Sequence, residues 1–276
     1  MKIKKDIAYG EDDKQKFDVY FPSTANSAAV IVIHGGGWWQ GDKKKENKVP
    51  KALAKKGYLV LVPNYRLAQG INDEGELFDP EDLQEPENLF PTQIDDLLEF
   101  LTFIRDFKEL KFDTLGLFGS SSGGNLATEL AVREGLPAVS WSGLVDFESF
   151  YEKNQKTKMK KRIIKEHIAS DKIDQDGSDD PYYKWCLMNL LGGDASVLQE
   201  ASVLNRISEK TGPMFLAVSL NELVHTYEIQ HLTRALIDKG IEVQIQYLKG
   251  DRHAEAYFDD AIKPSLAFFK HYLLQK

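Results

Sequence analysis

Gly119-Ser120-Ser121-Ser122-Gly123-Gly124 lies between an apolar run, Thr114 to Phe118, and a helical stripe of Leu126, Ala127, Leu130 and Ala131. A serine at the tip of a sharp strand-to-helix turn needs small residues on both sides, because the backbone there is crowded and strained. The Gly-x-Ser-x-Gly spacing puts Ser121 at that tip. The helix start behind it offers unpaired N–H groups to developing negative charge. The chemistry this setting allows is nucleophilic attack by the Ser121 hydroxyl on an acyl carbon. A phosphate loop or an ordinary tight turn is the competing reading, and the strand and helix on the two flanks favour the nucleophile.

A second run, His34-Gly35-Gly36-Gly37-Trp38-Trp39, follows the apolar stretch Ala28 to Ile33. Three consecutive glycines let backbone N–H groups turn towards one point. Such donors stabilise the oxyanion of acyl transfer, each by roughly 3 kcal/mol. A plain flexible turn asks for neither the histidine before nor the tryptophan after. His34 reads as an anchor for the loop. Trp38, Trp39 and Trp141 fall near strand ends on this edge and read as walls of an apolar acyl pocket, core packing being an equal reading for Trp141.

These residues need a scaffold, and the hydropathy pattern supplies one. Strands are expected at Ile3 to Tyr9, Phe17 to Phe21, Ala28 to Ile33, Tyr58 to Val62, Thr114 to Phe118, Ala138 to Ser140, Phe215 to Ser219 and Val243 to Leu248. Helical patterns at Val49 to Lys56, Thr92 to Phe107, Tyr227 to Lys239 and Ala254 to Leu274 separate them. Alternation of this kind implies an α/β fold with a mainly parallel sheet covered on both faces. The first two strands, joined by the turn Gly10 to Lys14, form an antiparallel edge. Ile71 to Leu89 carries eight acidic residues and no Lys or Arg, which predicts a solvated loop. Asp146 to Ile207 is too long for one crossover helix and reads as a cap over one end of the sheet. Its Lys-rich part, EKNQKTKMKKRIIKEH, predicts an amphipathic helix with a wet face.

The chain of 276 residues is 42% hydrophobic and 28% charged, an ordinary globular composition. Lys+Arg at 35 against Asp+Glu at 43 gives a net charge of −8, which argues against nucleic acid as a partner. No apolar run approaches the ~20 residues of a membrane span, and the N-terminus shows no apolar secretory segment. A single cysteine, Cys186, has no disulfide partner within the chain. No His-Glu-x-x-His or His/Cys cluster has metal-ligand spacing. The expectation is a soluble cytoplasmic protein of one domain, 1–276, with a cap insertion at about 146–207, no metal and no membrane insertion; homo-oligomerisation stays open.

HGGGW after one strand, PNYRLA after the next, FPTQIDD opening a helix and GSSSGGNLA at the elbow occur in that order. The combination resembles the hormone-sensitive-lipase-like esterases of the α/β-hydrolase fold, from roughly Ala28 to the C-terminus. The resemblance implies an eight-stranded, mostly parallel sheet with helices on both faces and a helical cap. It implies hydrolysis of short-chain carboxylic esters without a cofactor. Ser121 is then the nucleophile, and the oxyanion donors are the N–H groups of Ser122, Gly36 and Gly37, with Gly35 the alternative. Of the six histidines, His253 sits between the last strand and the final helix, where the family keeps its base. His225 and His231, six apart, share no helix face and read as surface residues.

The third member departs from the family. Relatives carry Asp-x-x-Val after the penultimate strand, whereas this chain reads Ser219-Leu220-Asn221-Glu222-Leu223-Val224. Alignment on Val224 puts Asn221 in the acid position, Glu222 is one residue on, and Asp146 is a displaced alternative. The readings that follow are a serine esterase acting on a small-molecule ester, a formamidase- or peptidase-like hydrolase of the same fold, or an impaired hydrolase fold serving as a binding module.

Overall fold

The computed structural model describes residues 1–78, 85–162, 168–172 and 176–275. Eight strands form one sheet: β1 (Lys2–Ala8), β2 (Lys16–Phe21), β3 (Ala28–Ile33), β4 (Leu59–Pro63), β5 (Thr114–Ser120), β6 (Ala138–Trp141), β7 (Met214–Ser219) and β8 (Val243–Leu248). Their order is β1-β2-β4-β3-β5-β6-β7-β8. β2 pairs antiparallel with both β1 and β4, and all later pairs are parallel. This is the α/β-hydrolase sheet. All eight expected strands form.

Continuous apolar strands are buried because helices cover both faces. Ile31, Leu117 and Leu216 point to one side, and Val30, Phe118 and Ala217 to the other. On the first side lie α2 (Thr92–Asp106), α3 (Ser122–Glu134) and α7 (Thr226–Asp238). On the second lie α1 (Lys48–Lys55) and α8 (Phe258–Leu274). Strand order reverses at β3, whose neighbours are β4 on one side and β5 on the other. Ligands in open α/β sheets bind beyond the carboxyl ends of strands at such a reversal. The glycine loop leaves β3 there, and the serine turn leaves β5.

Between β6 and β7 the chain forms α4 (Phe147–Lys153), α5 (Asp180–Leu190) and α6 (Leu198–Ala201). Trp185, Tyr183 and Leu187 of α5 pack into the core of the first side. The helix expected over the Lys-rich stretch does not form in residues 154–162, and 163–167 lie outside the described residues. The cause is the buried Lys184. Its ammonium donates to the carbonyls of Asn154, Gln155 and Thr157 at 2.8, 2.9 and 3.0 Å, which turns three nearby peptide oxygens away from helical partners. In the acidic segment, the described Asp73, Glu74, Glu76, Glu85 and Glu87 are exposed, while Ile71 anchors its start in the core; Asp79, Glu81 and Asp82 lie outside the described residues. No helix among the described residues is long and apolar enough to cross a membrane.

Candidate active site

Ser121 stands between the end of β5 and the first residue of α3 with φ 55° and ψ −127°, a conformation that costs a non-glycine residue of order 1–3 kcal/mol. The turn is tight enough to dictate its neighbours. A Cβ on Gly119 would lie 1.9 Å from the Gly123 carbonyl oxygen, and one on Gly123 would lie 2.2 Å from that of Ile33. The Ser121 N–H donates to the Trp141 carbonyl at 2.8 Å, which fixes the turn against β6. Ser122 occupies the first helical position, where the backbone N–H has no intrahelical partner.

The glycine loop lies against this turn. A Cβ on Gly35 would sit 3.1 Å from the Ser121 Cβ, so only glycine lets the two backbones approach this closely. Gly36 and Gly37 follow with φ 124° and 60°. Among the described residues, no hydrogen bond is donated by either of their N–H groups. The loop is anchored by His34. Its ring stacks on Tyr65 with centroids 4.3 Å apart, and its Nδ1–H donates to the Gly35 carbonyl at 2.8 Å. Burial pushes the His34 pKa down to about 4, so the ring is neutral and its role is structural.

His253 follows β8 and is buried. Its Nδ1 lies 2.5 Å from Glu222 Oε2, and its Nε2 has no partner among the described residues. Glu222 therefore holds the imidazole. Asn221 does not: its side chain is exposed, and its backbone N–H donates to Gly250 at 3.1 Å. The turn explains the choice. Glu222 Oε1 accepts from the Ser219 N–H at 2.7 Å and from Ser142 Oγ at 2.8 Å, which draws residue 222 inward and leaves 220 and 221 outside. Ser142 also accepts from the Ala254 N–H at 3.0 Å, so one hydroxyl ties the acid to the turn carrying the histidine. Asp146, the displaced alternative, caps α4 and pairs with His231 instead. His225 pairs with Asp180 at 2.7 Å, and His167 lies outside the described residues.

Ser121, His253, Gly35, Gly36 and Gly37 line one narrow cavity of ≈ 50 Å³. Its apolar walls are Leu144, Leu223, Tyr182, Tyr183 and Cys186. Two tryptophans expected there are elsewhere. Trp38, with φ 63°, turns fully into the core, where its Nε1–H meets Asn125 at 3.3 Å and its ring packs edge-on against Phe147. Trp39 packs against Trp185 and faces a separate hollow beside the 69–74 segment. Trp141 is a core residue whose Nε1–H donates to Ser265 at 3.0 Å. Ser142 and the actual pocket walls carried no local sequence signal, because each arrives from a distant segment. Among the described residues, no group of three or more His, Cys, Asp or Glu side chains gathers as a metal site would.

A family model described as BD-FAE matches residues 17–236. No curated protein matches the chain. Three solved structures share its fold. A truncated form of a carbohydrate esterase from gut microbiota is 17% identical, with a TM-score of 0.75 over 100% of this chain and 97% of that one. Esterase B from Lactobacillus Rhamnosis is 18% identical, with a TM-score of 0.67 over 98% and 84%. An acetyl ester-xyloside bifunctional hydrolase from Caldicellulosiruptor lactoaceticus is 18% identical, with a TM-score of 0.68 over 95% and 89%.

Proposed function

The chain belongs to the BD-FAE family, and from that premise we propose that it is a serine hydrolase of carboxylic esters with short acyl groups. The observation that carries this reading is the convergence on one cavity of a strained, accessible Ser121 and a His253 imidazole held by the buried Glu222. Structural neighbours described as carbohydrate, acetyl-ester and other esterases support it, as does the motif order HGGGW to GSSSGGNLA that resembles hormone-sensitive-lipase-like enzymes.

The Glu222 carboxylate accepts from Nδ1–H, which leaves the lone pair on Nε2 to take the Ser121 proton. The Ser121 oxygen attacks the ester carbonyl. The Gly36, Gly37 and Ser122 N–H groups hold the resulting oxyanion. The imidazolium, stabilised by Glu222, protonates the leaving alcohol. Water then attacks the acyl-enzyme with His253 again as base, and Ser121 regains its proton. The ≈ 50 Å³ of free space accommodates a few water-sized groups, which favours acetyl over long acyl chains.

A fluorophosphonate probe tests the assignment directly. Peptide mapping should place the label on Ser121, and Ser121→Ala should remove both labelling and hydrolysis of p-nitrophenyl acetate. Label on Ser120 or Ser122 would show that the turn has been misread. Steady improvement from C2 to C12 esters would overturn the short-acyl assignment. The binding-module reading drew its motive from Asn221 in the acid position, and the Glu222 geometry removes that motive.

A further inference from the structure

The cavity holds a pair of buried glutamates that the acyl-transfer steps do not use. Glu46, 2% exposed, reaches it from the end of the glycine loop, and Glu255, 7% exposed, reaches it two residues after His253. Their carboxyl groups meet side by side. Neither forms an ion pair among the described residues. Instead each takes a serine hydroxyl. Ser120 Oγ–H, from the residue before the nucleophile, donates to Glu255 Oε1, and Ser170 Oγ–H donates to Glu46 Oε1 at 2.6 Å. Two buried oxygens facing each other with no cation between them require a proton. The pair also has something to hold. Ala254, between His253 and Glu255, has φ 51°, a left-handed conformation that an alanine keeps only under restraint. His34 Nε2 and His253 Nε2, both buried and unpartnered among the described residues, open on the same cavity.

On the reading that Ser121 and His253 perform the chemistry, we propose that Glu46 and Glu255, sharing one proton, are positioning residues that clasp the His253 turn to the nucleophile elbow and to the 170–172 turn. Burial and the facing Glu255 push the Glu46 carboxyl well above the usual range. The other charged groups near the pair are Asp171, neutralised by Lys48 at 2.9 Å, with Asp42 and Lys45 beside the glycine loop; the remaining titratable neighbours among the described residues are His34, His253, Tyr20, Tyr65 and Tyr257, with Tyr182, Tyr183 and Cys186 further along the cavity wall. None brings a free cation between the two carboxyls. The folded chain thus keeps a proton on Glu46 that the unfolded chain releases, so the clasp is whole below the usual glutamate pKa and is lost as pH rises through the elevated one. The two carboxylates then repel, and His253 is displaced from Ser121.

The experiment is a pH profile of p-nitrophenyl acetate hydrolysis for wild type, Glu46→Gln and Glu46→Ala, with fluorophosphonate labelling in parallel. Wild type should lose kcat with rising pH while KM changes little. Glu46→Gln copies the protonated acid, with an amide N–H for Glu255 and an amide oxygen for Ser170, so its profile should lack the alkaline loss. Glu46→Ala should lower kcat at least 10-fold at pH values below the wild-type alkaline loss and converge with wild type above it, with most of the low-pH deficit restored in Glu46→Gln. The pH dependence of the melting temperature, steeper in wild type than in Glu46→Gln, gives a readout independent of catalysis. The clasp is overturned if Glu46→Gln keeps the wild-type alkaline loss in both measurements. Failure of the hydrolase reading looks different: wild type then takes neither ester nor probe at any pH, which removes the positioning role with it.

Discussion

Glu222, behind His253, and Glu46, on the wall of the cavity, are both buried, yet their surroundings are opposite. Glu222 faces donors alone: the His253 ring, the Ser219 N–H and the Ser142 hydroxyl. Glu46 faces one hydroxyl and another carboxyl group. Burial disfavours charge at either place, so the neighbours decide. Where donors surround it, the carboxyl group is held in place to orient the imidazole, and in the proposed mechanism it stabilises the imidazolium. Where a second acid faces it, a proton is retained and the group becomes a hydrogen-bonding clamp.

The sharpest way to break this contrast is Glu222→Gln. The new amide oxygen is claimed by Ser142 and the Ser219 N–H, so the NH2 group must face Nδ1. That forces the imidazole into the tautomer whose Nε2 already carries a proton. We expect kcat/KM to fall about 10⁴-fold, or about 5.5 kcal/mol, with folding intact. A loss under 10-fold in stopped-flow assays would mean that Glu222 is not the orienting acid.

A third glutamate sharpens the comparison through stability. Glu228 is buried with three donors on Oε2, from Tyr183 at 2.8 Å, Val145 at 3.2 Å and Asp146 at 3.3 Å, and with Oε1 unpartnered. Burial outweighs these donors and pushes its pKa up to about 8. The folded state therefore binds a proton that the unfolded state releases above the ordinary glutamate value of about 4.5. The resulting stability is full below that value and declines as pH rises to about 8, by at most about 1.4 kcal/mol per pH unit. Glu228→Gln should flatten this part of the chemical-denaturation profile between pH 5 and 8.5. An unchanged slope would assign the proton elsewhere.

The strand-to-helix turn at Ser121 was readable because its geometry is written in steric terms. Gly119 and Gly123 are demanded by atoms about 2 Å from where a Cβ would go, and strand and helix patterns flank them. Sheet strands were readable for the same local reason, an unbroken apolar run. The acid turn was not, since the inward direction of residue 222 depends on Ser142, 80 positions away. Trp38 misled because its left-handed backbone sends the ring into the core, which hydropathy does not encode. The Lys-rich stretch misled because a single distant lysine, Lys184, collects its carbonyls. Glu255 was within reach, two residues beyond the base, but its partner Glu46 enters from the other side of the sheet order.

Ser142 gives a smaller test of the same arrangement. Removing its hydroxyl takes one of three donors from Glu222 and leaves the Ala254 N–H without its acceptor. Ser142→Ala should lower kcat/KM about 10-fold, near 1.4 kcal/mol, and should do so through kcat. An effect confined to KM would place Ser142 on the substrate side instead.

The smallest expected effect is the most discriminating one. In the sequence, Asn221 fills the acid position of the resembling family, so Asn221→Asp looks like a repair. In the structure its side chain is in solvent, and the turn that exposes it is fixed by the Ser219 N–H to Glu222 bond and the Asn221 N–H to Gly250 bond. An exposed aspartate there would act on His253 only through screened solvent, an interaction worth well under 1 kcal/mol. We expect kcat/KM to change less than about 3-fold, roughly 0.6 kcal/mol, with a slight upward movement of the acidic limb. The double variant Asn221→Asp/Glu222→Gln should stay as slow as Glu222→Gln alone, because no rotamer of a short side chain in solvent replaces a carboxylate held by three donors. Recovery of 10-fold or more in that double variant would show that the turn admits residue 221 to the imidazole, and the contrast between the two sides of the cavity would then rest on Glu46 alone.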